Sequence, residues 1–80
     1  MITDYMIRLE TMEKVKKFIS VIGTFENDID IVSGRYVINA KSLLAIFSLD
    51  LAKKLQMVIH DASEQEIERL EKVMEEFRVD

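Results

Sequence analysis

Apolar positions along this chain switch repeatedly between a two-residue and a helical period. Tyr5, Ile7 and Leu9 alternate with Met6 and Arg8, as a half-buried strand requires. Met12, Val15, Phe18, Ile19 and Ile22 then fall at helical spacing among Lys14, Lys16 and Lys17, which predicts a first amphipathic helix. Ile29 and Ile31 alternate with Asp28 and Asp30, and Ser33-Gly34 offers a tight turn into Tyr36 to Ile38, the signature of a hairpin. A short helix is expected to start near Ser42. The apolar and branched run Gln56 to His60 predicts a fourth strand. Ser63-Glu64-Gln65-Glu66 reads as a capping box: the serine oxygen accepts from the backbone three residues on, and Glu66 reaches back. Ile67, Leu70, Met74 and Phe77 mark the buried stripe of the last helix, and Glu68, Glu71, Lys72, Glu75 and Glu76 its wet side.

The resulting order is β-α-β-β-α-β-α, with no linker, low-complexity tract or internal repeat. It places residues 1–80 in one α+β domain, a mostly antiparallel four-stranded sheet with helices packed on one face. A chain of 80 residues with 49% hydrophobic content should bury roughly 60% of the surface its unfolded form exposes, a modest but sufficient core.

Composition narrows the chemistry. With no cysteine there is no disulfide framework, thiolate metal cluster or cysteine nucleophile, and a reducing, cytoplasmic setting fits best. No basic stretch followed by an apolar run opens the chain, and no apolar segment approaches the ~20 residues that span a bilayer. The expectation is a protein neither exported by a signal peptide nor embedded in a membrane. Fifteen acidic against eleven basic residues give a net charge of -4, which argues against nucleic acid or an anionic membrane as partner. No metal-ligand cluster, paired nucleophile and base, or glycine-rich phosphate loop supports an independent enzyme, and no cofactor is implied. A protein partner is expected, with the chain itself a monomer or weak homodimer.

The segment from Gly34 to Leu49 carries the sharpest signal. It puts Ser42 at the expected start of a short helix, where free backbone N–H groups and the positive end of the helix dipole favour a phosphoryl group. Ser42 also suits a plain helix cap, as Ser63 does, and the two roles are compatible. Leu43, Leu44, Ile46 and Phe47 fill four of the first five positions after it, too many for one short helix to bury against one sheet. Residues 43, 44 and 47 share one arc at helical spacing and residue 46 points away from it, so Ile46 is expected in the core.

Ser33-Gly34-Arg35-Tyr36-Val37-Ile38-Asn39-Ala40-Lys41-Ser42-Leu43-Leu44 resembles the Lys-Ser region of HPr, the small histidine-containing phosphocarrier of the bacterial sugar phosphotransferase system. The element order matches as well, and the resemblance covers nearly the whole chain. It implies an open-faced β-sandwich. It also implies two phosphorylation sites, which fare differently here. The family's His-Ala-Arg-Pro-Ala loop opens its first helix, and the corresponding place reads Thr11-Met12-Glu13-Lys14-Val15. There is no imidazole at that place, and Glu13 stands where an arginine would steady the phosphate. The sole histidine, His60, falls in the expected fourth strand, away from that helix start. Ser42 matches the family's regulatory serine. Leu43, Leu44 and Phe47, with Lys41 beside them, match its protein-binding patch, whose partners include a dedicated serine kinase and transcriptional regulators. Ala45 and Asp50 depart from glycines of the family pattern.

Three functional classes follow. The leading one is an HPr-like regulatory protein of the phosphotransferase system and carbon catabolite control, without histidine phosphocarrier chemistry, acting through Ser42 and the short-helix patch. The second is a component that relays phosphate by another residue, against which the missing loop argues. The third is an orphan interaction module that keeps the fold and has lost both phosphorylation functions.

Overall fold

The computed structural model describes residues 4–79; the rest of the expected 1–80 domain lies outside the described residues. Its elements are β1 (Asp4–Ile7), α1 (Met12–Ile22), β2 (Ile29–Ser33), β3 (Tyr36–Asn39), α2 (Leu43–Phe47), β4 (Leu55–Ile59) and α3 (Glu64–Met74), in the expected order. The strands form one antiparallel sheet in the order β1-β4-β2-β3. Because β4 runs antiparallel to both β1 and β2, those two are parallel to one another, and α1 makes the crossover between them.

Register sorts the side chains. Tyr5 faces Met57 and Met57 faces Ile31 across the strands, all buried, and Ile7 faces Leu55. These residues form the floor on which Val15, Phe18 and Ile22 of α1, Ile46 of α2 and Ile67, Leu70 and Met74 of α3 pack. Among the described residues, no helix lies over the opposite face. A core with apolar residues from one sheet face and three helices is what the two periods demanded. Phe18 and Phe77 meet edge to face at 5.5 Å, linking α1 to the chain end.

Each helix start is capped by a hydroxyl. Thr11 accepts from the Lys14 N–H at 3.1 Å, Ser42 from Ala45, and Ser63 from Glu66. At Ser63 the reciprocal bond is present, Glu66 Oε1 accepting from the Ser63 N–H at 2.8 Å, so the capping box forms as read.

The structure shifts several boundaries. The hairpin loop is Gly34-Arg35, with Ser33 paired to Tyr36 as the last residue of β2. Gly34 holds φ +61° at the first loop position, where a two-residue turn places glycine. The fourth strand is Leu55–Ile59, one residue earlier than expected, which puts Leu55, Met57 and Ile59 inward. Met12 is exposed rather than part of the buried stripe, because it is the first residue of α1 and lies before the turn that meets the sheet. Leu9 is buried but follows β1, and Phe77 is buried three residues beyond α3. There the chain turns back along β1: Arg8 donates to the Phe77 carbonyl and Val79 to the Met6 carbonyl, both at 2.9 Å.

Candidate functional site

The β3–α2 junction is built from backbone bonds that fix Ser42 before its side chain does anything. The Asn39 carbonyl accepts from the Ser42 N–H at 3.0 Å, and the Asn39 side chain accepts from the Lys41 N–H at 2.9 Å. Such a local side-chain turn ends the strand and aims the chain into the helix. Ser42 itself has extended backbone, φ -95° and ψ 110°, as an N-cap requires. Its hydroxyl oxygen accepts from the Ala45 N–H at 3.3 Å, a long bond, and is half-buried. The N–H groups of Leu43 and Leu44 lie in the first turn, where no intrahelical carbonyl is available to them.

Behind Ser42 the helix divides as its arc predicts. Ile46 is fully buried at 0% exposure, whereas Leu44 is 84% exposed, Phe47 38%, and Leu43 similarly open. The helix ends at Ser48 without glycine; the Ser48 hydroxyl donates to the Ala45 carbonyl at 2.6 Å, and Asp50 accepts from the Ala52 N–H at 3.1 Å. The departures at Ala45 and Asp50 therefore leave the helix formed.

Lys41 is not a free cation on the rim of this patch. Its ammonium turns away and donates to the carbonyls of Phe25, at 2.7 Å, and Asn27, at 2.8 Å, tying the α1–β2 connection to the entrance of α2. Asn39 is the positioning residue that sequence reasoning missed; an asparagine closing a strand just before a turn was the available signal.

The other helix start, where the resemblance places a degenerate phosphoacceptor loop, holds Thr11, Met12 and Glu13, all exposed, and Lys14, half-buried. Thr11 is engaged as the cap of α1. Glu10 at φ +61° precedes it and lies 3.9 Å from the Lys14 ammonium, and Glu13 sits in the first turn. Two carboxylates already occupy the electrostatic position that an anion would use at this helix end. The Glu10 N–H donates to the Leu51 carbonyl at 3.0 Å, which joins this loop to the one following α2. His60 lies just past β4 with its Nε2 2.8 Å from Asp30 Oδ2, an ordinary partner at a strand end. Among the described residues, no group of three or more His, Cys, Asp or Glu could hold a metal ion, and no helix is long and apolar enough to cross a membrane.

No family model matches the sequence, and no curated protein matches it. Among solved structures the chain is similar to HPr-C-His from Thermoanaerobacter tengcongensis, with a TM-score of 0.71 and 16% sequence identity over 91% of this chain and 88% of that one. The fold is therefore HPr-like, a four-stranded antiparallel open sheet with three helices.

Proposed function

We propose that this chain is a regulatory protein of the HPr type, belonging to the bacterial sugar phosphotransferase system and working without a histidine phosphocarrier step. Its working surface is α2: Ser42 is the acceptor for a serine kinase, and Leu43, Leu44 and Phe47 dock a protein such as that kinase or a transcriptional regulator of sugar use. The observation that carries this reading is the division of α2, with Ile46 holding the helix to the core while three large apolar side chains stay exposed beside a capping serine. Exposed apolar clusters of this kind are characteristic of protein contact sites.

In the proposed reaction the Ser42 hydroxyl oxygen attacks the γ-phosphorus of ATP, the bond to the β,γ-bridging oxygen breaks so that ADP leaves, and the hydroxyl proton passes to a base of the kinase. The new phosphate is held at the helix start by the N–H groups of Leu43 and Leu44. The test is incubation of the purified chain with ATP and an HPr serine kinase. A single acid-stable phosphate on Ser42, absent in Ser42→Ala, supports the reading; phosphate on Ser63 instead overturns the assignment.

One observation favours a second reading, an interaction module that has lost both phosphorylation functions. The Lys41 ammonium is spent on two backbone carbonyls, so this neighbour adds no free positive charge beside Ser42. On that reading the kinase adds nothing, yet Leu44→Lys still abolishes binding of the chain's protein partner.

A further inference from the structure

The sheet face opposite the helices carries its charge at two ends. Strand register builds two rows across it: Met6, Gln56, Val32 and Val37 in one, and Asp4, Val58, Asp30 and Asn39 in the other. Beyond the first row, at the hairpin end, Arg35, Lys53 and Lys54 line one groove together with Met6, Val32 and Gln56, and among the described residues no carboxylate lines it. At the opposite end of the same face, Asp30 of the second row lines a hollow with Asp28, Asp61 and His60. Between the two ends lie Val37, 63% exposed, Met6, 39% exposed, and the half-buried Val32 and Val58. An apolar band flanked by a cationic end and an anionic end is complementary to itself when turned end for end.

We propose that two copies of this chain associate open face to open face, with the strands of one copy antiparallel to those of the other. A two-fold axis lying between the sheets and across the strands brings Arg35, Lys53 and Lys54 of each copy over Asp28, Asp30 and Asp61 of its partner. An axis along the strands would instead set like charge on like charge, which costs binding. The apolar band then closes as two aligned sheets stack, ~10 Å apart. Four strands spaced ~4.8 Å and about five residues long give a face of roughly 20 by 17 Å. That is smaller than the ~800 Å² per partner of a standard interface, so the dimer is weak and forms only at high protein concentration.

Sedimentation equilibrium on the full chain tests this. Wild type should show twice the monomer mass as its concentration approaches ~1 mM at low salt, with the dissociation constant rising roughly tenfold or more in 1 M salt. Arg35→Glu with Lys53→Glu makes both ends acidic, Asp28→Lys with Asp30→Lys makes both basic, and each pair alone should remain monomeric. Mixed one to one, the two variants should restore the dimer, and adding Val37→Asp to both should abolish it. Circular dichroism reports whether each variant is folded; should the Asp pair fail to fold, wild type against Val37→Asp decides the question. A monomeric wild type at ~1 mM overturns the proposal. So does a dimer that survives Val37→Asp but is lost in Leu44→Lys, which would place the contact on α2, or a folded pair of charge variants that stays monomeric when mixed.

Discussion

The ammonium of Lys41 sits 2.7 Å from the carbonyl oxygen of Phe25, across the gap between the start of α2 and the end of α1. With the second bond, to Asn27, it is a strut in the scaffold that presents Ser42. Hydrogen bonds from a charged donor are worth about 1.5–3 kcal/mol, and a half-buried pair of carbonyls left without a donor costs stability. Lys41→Met, which keeps the aliphatic stem, should therefore lower the unfolding free energy by about 1.5–3 kcal/mol in a urea titration. If Lys41 were instead a partner contact, the same change would leave the urea midpoint where it was.

Ile46 and Leu44 should separate stability from binding. Ile46 is at 0% exposure inside the core cluster, and its truncation to alanine should cost on the order of 2–5 kcal/mol. Leu44 touches little of the fold at 84% exposure, so Leu44→Ala should stay within about 0.5 kcal/mol of wild type. Phe47→Ala falls between them. Thermal melts of the three variants check the order, and equal losses at positions 44 and 46 would contradict this division of the helix.

Periodicity made most of this legible from sequence. Val15, Phe18, Ile22, Ile67, Leu70 and Met74 could be placed in the core because a helix of fixed pitch leaves one stripe facing the sheet. Ile46 could be turned inward by the same reasoning within five residues. Lys41 could not be read, because a flexible four-carbon stem can reach water or a carbonyl with equal ease and the choice depends on the α1–β2 connection, fourteen to sixteen positions away in sequence. The return of the chain end along β1 escaped for a related reason: the bonds of Phe77 and Val79 to β1 join segments whose proximity only the tertiary fold creates. The charge division of the open face was equally hidden, since Arg35 and Lys53 lie on different loops and meet only through the register of β2, β3 and β4.

The capping box gives α3 a defined response to acid. The backbone N–H of Ser63, helped by its hydroxyl, holds the Glu66 carboxyl below the ordinary glutamate range. A folded-state value below the unfolded one means that the carboxylate's contribution is present at neutral pH and is lost as pH falls through that depressed value. Melting temperature followed from pH 7 down to pH 3 should fall more steeply in wild type than in Glu66→Gln, which keeps an acceptor but does not titrate. Parallel curves for the two proteins would show that the box contributes nothing through its charge.

Thr11 is where the proposed lack of phosphocarrier chemistry can be tested. The hydroxyl is engaged with the Lys14 N–H at 3.1 Å as the cap of α1, and Glu10 and Glu13 flank it with negative charge. A threonine phosphate ester is also a poor donor compared with the phosphoramidate that an imidazole forms. Incubated with phosphoenolpyruvate and enzyme I of the phosphotransferase system, the chain should acquire no acid-labile phosphate. Thr11→His alone should change little, because Glu13 still repels the incoming phosphoryl group and the threonine cap is lost at a cost of about 1 kcal/mol. Thr11→His combined with Glu13→Arg supplies both an acceptor and a cation at the helix start, and it should label more strongly than either single variant. Acid-labile label on the wild-type chain in that assay would overturn the reading of a chain without phosphocarrier chemistry and would point to a residue other than Thr11, whose ester is acid-stable, with His60 the imidazole to check.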